Sequence, residues 1–417
     1  MSNTLKFGNG QWATKEGSTL AYNDENNNFK PLPFNFERAS SATVINKDGL
    51  IETVGSGQPR IDYKDDSNGA LLLEPSRTNL ITYSEDFSNG NWAKYGTTVT
   101  SGFTSPDGSL NAFKLVEDTN NSKHFISRNN LFTPDGVTRD YSIFVKEGEK
   151  RYIFITNVTT TNNDINCAVF DTRDGVFTNT NNPTYISNRN VTTLSNGWYR
   201  IDFTSNVNSF SYDNFYIGIS SSETMSGVSY QGDGTSGVYI YGAQLEEGSY
   251  PTSYIPTQGS AVTRLAEISV TQTPPSGIIN SSEGVFYAEM SALSNDGASR
   301  YISLSNGSTS NRVVLRFNSS NEISGFVFSG TTQASFSYDV NILNKNKVAL
   351  KWKQNDFALW VNGIEVGTDT SGVPPINLSL LRFEDGADNG QYFYGNVKEI
   401  KIYNTVLTDQ ELASLTS

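Results

Sequence analysis

The sequence has only one cysteine and one histidine in 417 residues. Cys167 has no partner for an internal disulfide bond, and together with His124 it supplies too few ligands for a structural zinc site. Charged side chains are also sparse, at 18% of the chain against a usual value of about 25%. We therefore expect a fold that packing alone holds together.

Basic residues are the scarcer of the two charge classes. The chain has 30 Lys and Arg against 43 Asp and Glu, for a net charge of -13, and the acidity is spread along its whole length. Binding to nucleic acid requires a basic surface that neutralises phosphates, so a nucleic-acid partner is excluded. An anionic membrane surface would repel the chain as well.

Long apolar runs are missing too. No stretch approaches the roughly 18 apolar residues of a membrane span. The first residues, MSNTLKFGNGQW, lack the positive start and the apolar stretch of a signal peptide. We expect a protein that is made in a cytoplasm and is not inserted into a membrane.

The residues that are abundant favour β structure. Aromatic side chains make up 12% of the chain, and 35 glycines allow many tight turns. From about residue 80 to 265, short runs alternate apolar and polar residues with period two. We predict one hairpin from 141–146 and 151–157 and another from 167–171 and 176–179. The fold class expected is all-β, with antiparallel β-sandwich domains and almost no helix.

The pattern along the chain predicts two domains behind a leading segment. Residues 1–79 are loop-rich and hold too few apolar residues for a core of their own, so we interpret them as an attachment segment. The first sandwich should occupy 80–268. The Pro-Pro-Ser-Gly break in 269–281 is typical of a linker, and the second sandwich should occupy 282–417.

The last domain carries the clearest local signals. Asn362-Gly363 lies between two alternating runs, which is a strong hairpin signal because both residues tolerate positive φ. Thr408 and Glu411 have the spacing of a capping box before a short terminal helix. Trp352 shares a strand face with apolar neighbours and should be in the core.

Two stretches resemble known families. GVYIYGAQLEEGSYPTSYIPTQGSAVTR at 237–264 and NGWYRIDFTS at 196–205 resemble the jelly-roll, carbohydrate-binding-type domains of bacteriophage fibre proteins. FERASSATVINKDGLIETV and the segments that follow it, within 36–87, resemble the leader that precedes such domains in phage virion proteins. The resemblance implies a jelly roll at 80–268 and a role as a virion structural protein.

The C-terminal part resembles laminin G-like or concanavalin A-like lectin modules. The residues that carry this resemblance are the hairpin Val361-Asn362-Gly363 and the closing run GNVKEIKIYNTVLTDQEL at 395–412. They are structural, so the resemblance implies the fold and leaves the ligand open.

Aromatic residues supply the first candidates for ligand binding, because sugar rings stack on exposed aromatic side chains. Tyr239 and Tyr241 share one face of their strand, although both faces of an inner strand can also pack in a core. Trp92 and Tyr95 lie in a turn-rich segment, where binding residues concentrate. Trp360 points away from the apolar face of its strand, so we expect it to be exposed.

A polar loop near the end of the chain supplies the second set. Its position resembles the ligand-facing edge of lectin-like modules. The candidates in this loop are Arg382, Glu384, Asp385, Asp388, Tyr392 and Tyr394.

No catalytic or metal motif stands out. Loop carboxylates could bind Ca²⁺, but EF-hand spacing is missing, and we expect neither a metal nor another cofactor. The sequence has no G-x-S-x-G motif to supply a nucleophilic serine for His124, so we expect His124 to be a structural residue. A pair of carboxylates for glycoside hydrolysis cannot be identified among the 43 acidic residues.

The leading hypothesis is a non-enzymatic phage virion protein, a fibre or capsid decoration exposed on the particle, that adheres to glycans. A polysaccharide-degrading tail enzyme and a purely architectural virion protein are the alternatives. Shallow sites on open sandwiches predict millimolar affinity per site, about -4 kcal/mol. Useful adhesion would then need several copies, and we expect a homo-oligomer, with a trimer favoured, that also contacts other virion proteins.

Overall fold

The computed structural model describes residues 4–8, 13–15, 18–23, 28–132, 136–159, 167–181, 186–205, 212–271, 277–387 and 390–417. Strand accounts for 53% of the structure and helix for 4%. The prediction of an all-β fold of antiparallel sandwiches is confirmed. Within the described ranges, no helix is long and apolar enough to cross a membrane.

Short strands follow one another along the described chain. The strands up to residue 132 are β1 Thr4–Gly8, β2 Ala13–Lys15, β3 Ser18–Asn23, β4 Asn28–Glu37, β5 Ala42–Ile45, β6 Ile51–Val54, β7 Arg60–Asp62, β8 Ala70–Leu73, β9 Arg77–Asn79, β10 Trp92–Tyr95, β11 Thr97–Phe103, β12 Ala112–Glu117 and β13 Asn121–Phe132. The next are β14 Arg139–Lys146, β15 Tyr152–Thr159, β16 Cys167–Asp171, β17 Val176–Thr180, β18 Ser187–Thr193, β19 Trp198–Ser205, β20 Tyr212–Ser220, β21 Ser229–Gln231, β22 Gly237–Glu247 and β23 Val262–Arg264.

The remaining strands precede a C-terminal helix. They are β24 Ile268–Thr271, β25 Glu283–Ala292, β26 Arg300–Ser305, β27 Asn311–Phe317, β28 Ile323–Ser329, β29 Thr331–Tyr338, β30 Asn346–Lys353, β31 Phe357–Val361, β32 Ile364–Asp369, β33 Leu380–Arg382 and β34 Gly395–Tyr403, and the helix is α1 Asp409–Thr416. Two short 3₁₀ turns occupy Ser195–Gly197 and Met225–Val228.

The chain forms two compact units, each of which is discontinuous in sequence. The central unit comprises Ala42–Thr53 and Ser76–Arg264, and the terminal unit comprises Met1–Ser41, Val54–Pro75 and Leu265–Ser417. These boundaries differ from the predicted ones, which gave residues 1–79 a segment of their own. Strands β7 and β8 from that segment lie in the same sheet as β34. A strand needs a partner, and local sequence patterns do not show which distant strand provides it.

The central unit is a sandwich of a seven-stranded and a six-stranded sheet. The first has the order β10-β13-β20-β15-β16-β17, with β21 joined to β13, and the second has the order β11-β12-β22-β14-β19-β18. Tyr141, Ile143 and Val145 of β14 pack in one core cluster with Ile153 and Ile155 of β15. Alternation therefore shows correctly which side chains of β14 share a face, although Ser142 and Phe144 on the other face are buried as well.

The pairing partner predicted for β14 is wrong. β14 pairs with β19 and β22, whereas β15 pairs with β16 and β20, so the two strands lie in opposite sheets. Alternation shows which side chains share a face, and it does not show whether the next turn keeps the chain in one sheet. The second predicted hairpin, from β16 and β17, is confirmed.

The terminal unit is also a two-sheet sandwich. An eight-stranded sheet runs β32-β31-β30-β25-β34-β8-β7 with β1 also paired to β34, and a five-stranded sheet runs β29-β28-β27-β26-β33. A further sheet, β2-β3-β4-β24, belongs to the same unit. Trp352 lies in the core cluster of this unit, as predicted.

The local signals of the last domain are confirmed. Asn362 and Gly363 have φ of 49° and 82° between β31 and β32, which is the left-handed pair that a tight hairpin turn needs. Thr408 and Glu411 form both hydrogen bonds of a capping box at the start of α1. Leu412 of α1 packs against the outer face of the eight-stranded sheet.

A buried ionic cluster lies in the terminal unit. Glu267 accepts hydrogen bonds from Arg38 Nη1 at 2.8 Å and from Arg60 Nε and Nη2 at 2.7 and 2.6 Å. Arg60 Nη2 also donates to Glu74 at 2.7 Å, and all four residues are buried. Burial alone would lower the pKa of Arg60, but Glu267 and Glu74 raise it. These contacts join residues that are far apart in the sequence.

Candidate functional site

The five-stranded sheet of the terminal unit has one face in the core and one face outside it. Along β26, Ile302 and Leu304 pack in the core cluster. Since neighbouring residues of a strand point to opposite faces, Tyr301 and Ser303 lie on the outer face. Strand β27 follows the same alternation, with Arg312 and Arg316 outside.

Arginine and aromatic side chains share this outer face. Val314 pairs with Phe326 on β28, so the arginines two residues to either side of Val314 are diagonal neighbours of Phe326. The guanidinium carbons of Arg312 and Arg316 both lie 5.1 Å from the centroid of the Phe326 ring. Arg316 also lies 5.4 Å from the centroid of the Tyr301 ring. These distances are those of cation–π contacts.

Arg382 completes the set. It pairs across the sheet with Ser303 and follows Leu381, which is in the core, so Arg382 belongs to the outer face. We call the five residues Tyr301, Arg312, Arg316, Phe326 and Arg382 the arginine face.

The three arginines of this face differ in their charge partners. Arg312 donates to the carbonyl oxygen of Asp385 at 2.5 Å and lies 3.4 Å from its carboxylate. Arg382 pairs with Glu384. Arg316 Nη1 instead donates to the Tyr301 hydroxyl at 3.0 Å. Among the residues that the structure describes, no carboxylate forms an ion pair with Arg316, so this half-buried guanidinium keeps an uncompensated charge.

The predicted polar loop borders the arginine face. Ser303 Oγ donates to the carbonyl oxygen of Glu384 at 2.8 Å, and Ser305 Oγ donates to that of Gly386 at 3.1 Å. Gly386 has φ of 106°, and a Cβ atom there would lie 2.9 Å from Ser305 Cβ. Only glycine fits this close approach. The loop therefore lies directly against β26.

The structure brings most of the predicted loop residues together. Glu384 and Asp385 are buried by their arginine partners. Tyr392 forms a β-bridge with Glu384, and the rings of Tyr392 and Tyr394 lie 6.1 Å apart. Asp388 lies outside the described residues.

The expectation that Trp360 is exposed is wrong. Its side chain does point away from the core between the sheets, but it is only 7% exposed. It packs in a separate cluster that includes Tyr287 and Leu412 of α1. The terminal helix covers this outer face, which strand alternation alone could not show.

Trp92 and Tyr241 are also buried, at 1% and 2% exposure. Trp92 lies in strand β10, and its indole N–H donates to the carbonyl oxygen of Tyr83 at 2.8 Å. Tyr241 is in the cluster that includes Phe144 and Tyr254. Neither ring has a free face for a sugar, so the expectation that they stack on a ligand is corrected.

Tyr95 and Tyr239 remain accessible. Tyr95 is 46% exposed. Its ring stacks on that of Phe125, with 4.7 Å between the ring centroids and an interplanar angle of 16°. The ring of Phe125 in turn stacks on that of Tyr216, with 4.9 Å between the centroids. These rings use their faces against one another, which leaves only the outer face of Tyr95. Tyr239 is half-buried, and the centroid of its ring lies 5.0 Å from that of the Phe103 ring.

Sequence reasoning missed four residues of the arginine face: Tyr301, Arg312, Arg316 and Phe326. The segment RVVLRF forms most of β27. The signal for these residues is the alternation along the strand. Arg312 and Arg316 share one face, opposite the core residues Val313, Leu315 and Phe317.

A second feature of the terminal unit is an acidic cleft of about 480 Å³. Asp62, Asp65 and Asp66 line one part of it, together with Lys345 and Asn396. Within the described ranges, no group of three or more His, Cys, Asp or Glu side chains is placed to hold a metal ion. We therefore assign this cleft no metal.

Two carboxylates of the acidic cleft should affect stability with opposite signs. Burial raises the pKa of Asp62 to about 6. For Asp66, burial acts in the same direction, but hydrogen bonds from Lys345 and Lys398 lower its pKa below the usual value. Because the pKa of Asp62 is raised in the folded state, the stability of the fold decreases as pH rises from about 4 through 6. Over this range the folded state retains the proton and the unfolded state has lost it. A lowered pKa contributes stability that is lost in acid.

We therefore expect Asp62→Asn to raise the melting temperature at pH 8 and to leave it nearly unchanged at pH 4. Asp66→Asn should lower the melting temperature at pH 8, because it removes ion pairs with two lysines. Thermal unfolding of both variants at the two pH values tests this. Shifts of the same sign at pH 8 would contradict the assignment.

Comparison with known proteins supports the fold of the terminal unit. Residues 269–413 match the family model described as the concanavalin A-like lectin/glucanases superfamily. The lectin-like β-sandwich predicted for the C-terminal part is confirmed by this match. No curated protein matches the chain.

Solved structures give remote similarities. The CBM40 of Ruminococcus gnavus IT-sialidase bound to α2,3 sialyllactose is 17% identical, over 33% of this chain and 84% of that chain, with a TM-score of 0.30. Mouse laminin α1 domains LG4-5 are 12% identical, over 68% and 86%, with a TM-score of 0.25. Trypanosoma rangeli sialidase in complex with the inhibitor DANA is 10% identical, over 98% and 69%, with a TM-score of 0.29. These scores are too low to carry an argument about ligands or activity.

Proposed function

We propose that this chain is a non-enzymatic, glycan-adhesive structural protein of a bacteriophage virion and that its arginine face binds an acidic sugar. The observation that carries the binding part is Arg316. Its guanidinium lies over two aromatic rings and forms no ion pair with a carboxylate of the described residues. A planar guanidinium binds a carboxylate through two parallel hydrogen bonds.

The surroundings of Arg316 suit a sugar as well as a charge. Tyr301 is partly exposed and presents apolar ring surface beside it, and sugar rings have apolar C–H faces. Phe326 is itself buried under the guanidinium groups of Arg312 and Arg316. Ser335 and Ser337 on β29 are exposed and offer hydroxyl groups for hydrogen bonds. The arginine face thus combines a cation, aromatic surface and neutral polar groups within one sheet.

Several observations support a binder over an enzyme. The acidic residues beside the arginine face, Glu384 and Asp385, are held by Arg382 and Arg312, so they do not form a free pair of the kind that glycoside hydrolysis uses. His124 is buried, with Nδ1 2.8 Å from the carbonyl oxygen of Gly96 and Nε2 3.2 Å from that of Tyr230. We expect no release of reducing ends from a bound polysaccharide.

The virion part of the proposal rests on the resemblance of 36–87 and 237–264 to phage virion proteins. In this proposal residues 1–79 contribute to attachment, while β7 and β8 from this segment also complete the eight-stranded sheet of the terminal unit. Several copies, with a trimer favoured, would raise a weak single-site affinity by about 10² to 10⁴. Incorporation of the chain into purified particles, seen by cryo-electron microscopy, tests this part separately from sugar binding.

A glycan array tests the binding part. We expect retention of the protein on polysaccharides that contain uronic or sialic acid. Retention should fall at least tenfold when the same polysaccharide has its carboxyl groups reduced to alcohols, because the partner of Arg316 is then removed. Equal retention on both forms would contradict the proposed role of the arginine face.

A further inference from the structure

A cleft of about 520 Å³ opens in the central unit. This volume lies within the range of about 300 to 1,000 Å³ that is typical of ligand sites. Its polar lining residues include Glu85, Asp86 and Asn111, and its apolar ones include Leu110 and Pro256. The cleft does not involve the arginine face, which belongs to the terminal unit.

Glu85 is held in a fixed orientation at this cleft. Its Oε1 accepts hydrogen bonds from the hydroxyl groups of Tyr241 at 2.9 Å and Tyr254 at 3.1 Å. Both tyrosine rings are buried, so they anchor the carboxylate from below. The other oxygen, Oε2, accepts no hydrogen bond from the residues that the structure describes. One oxygen is therefore fixed and the other is left for a ligand.

A second acceptor in the cleft has no partner. Asn111 Oδ1 is buried and forms no hydrogen bond within the described residues. A buried acceptor without a partner destabilises the folded state. A ligand that donates hydrogen bonds would satisfy Asn111 and Glu85 together.

A reciprocal pair of hydrogen bonds holds one part of the lining. Thr257 N donates to Ser84 Oγ at 2.8 Å, and Ser84 N donates to Thr257 Oγ1 at 3.0 Å. This reciprocal pair fixes the segment that carries Pro256. Leu110, at the edge of the cleft, is 71% exposed and presents an apolar surface to solvent. A ligand with apolar C–H groups would cover part of that surface.

The charge of the cleft selects the class of ligand. None of its described lining residues is Lys, Arg or His, so Glu85 and Asp86 would repel an anion. Within the described ranges, no group of three or more His, Cys, Asp or Glu side chains is placed to hold a metal ion, so we assign the cleft no metal ligand. The ligand must donate several hydrogen bonds, carry no negative charge and expose apolar C–H groups.

We propose that this cleft is a second binding site, that it takes an uncharged sugar residue, and that Glu85 and Asn111 accept hydrogen bonds from the sugar hydroxyls. The predicted site residue Tyr241 then acts in binding without touching the sugar. Its hydroxyl group positions Glu85, whereas sequence reasoning expected its ring to stack.

Saturation-transfer NMR on the full chain tests the proposal, with glucose, galactose, mannose and N-acetylglucosamine as uncharged probes and glucuronate as the charged one. At least one uncharged probe should receive saturation, and glucuronate should not compete with it at this site. Glu85→Gln and Asn111→Ala should each reduce the signal at least fivefold. Asn181→Ala, an exposed asparagine of the same unit, should leave the signal unchanged.

Arg316→Ala separates this proposal from the proposed function, because the uncharged probe should still bind when the arginine face is altered. Thermal unfolding confirms that each variant is folded, and Asn111→Ala alone decides the matter if Glu85→Gln does not fold. The proposal is overturned if no uncharged probe receives saturation. It is also overturned if the signal survives in every folded cleft variant.

Discussion

Replacing Glu267 with glutamine is expected to lower the free energy of unfolding of the terminal unit by about 3 to 5 kcal/mol. Glu267 is the shared partner of Arg38 and Arg60, at 2.8 and 2.6 Å. Without its charge, Arg38 and Arg60 would lose the carboxylate that they share, and Glu74 would remain beside Arg60. The cost comes from leaving a buried charge uncompensated, and it exceeds the small net value of the intact pair.

The matched control is Glu283→Gln. Glu283 pairs with Lys353 at 3.0 Å, but that lysine side chain is 46% exposed. An ion pair in solvent contributes about 0 to 1 kcal/mol. Denaturant unfolding of both variants checks the difference, and a loss at Glu267 no larger than the loss at Glu283 would show that the buried cluster does not hold the unit together.

Replacing Trp360 with alanine is expected to lower the free energy of unfolding by about 3 to 5 kcal/mol. The reason is the cavity left between the eight-stranded sheet and α1, where Trp360 packs with Tyr287 and Leu412. Retention on an acidic polysaccharide should be unchanged at a temperature where the variant is still folded, because Trp360 lies on the other sheet from the arginine face.

Ile364→Ala is the control for that variant. Ile364 lies on the neighbouring strand β32 and is 51% exposed, so its loss should change stability by no more than about 0.5 kcal/mol. Thermal and denaturant unfolding give the stability of both variants. Loss of glycan retention in Trp360→Ala without loss of stability would restore the ligand-binding role expected from the sequence.

The local elements of this fold could be predicted from the sequence because their causes are local. The turn at Asn362-Gly363 depends on two residues that tolerate positive φ, and the start of α1 depends on Thr408 and Glu411 alone. The shared face of Tyr141, Ile143 and Val145 in β14 was visible in the alternation. Each of these features is determined within a few residues of the chain.

Features that depend on distant partners could not be predicted. The position of β14 in one sheet and β15 in the other is decided by β19, β20 and β22, which come much later in the chain. Trp360 is buried because α1 happens to cover its face. Likewise, the boundary of the terminal unit depends on Arg60 reaching Glu267, and no local pattern contains that contact.

The candidate site was predicted only in part, for the same reason. The loop with Arg382, Glu384 and Asp385 was identified because it is polar and rich in carboxylates. Arg316 was missed because its meaning depends on Tyr301 and Phe326 from two neighbouring strands. A lone arginine in a strand carries no signal until the register across the sheet is known.

The most direct test of glycan binding at the arginine face compares Arg316→Ala with wild type on one acidic polysaccharide, by surface retention at low and at physiological ionic strength. The matched control is Arg173→Ala, which removes an exposed arginine whose partner is Glu147. We predict that Arg316→Ala reduces retention at least tenfold and weakens its salt dependence, while Arg173→Ala and the wild type behave alike. Equal retention by all three proteins would contradict glycan binding at the arginine face.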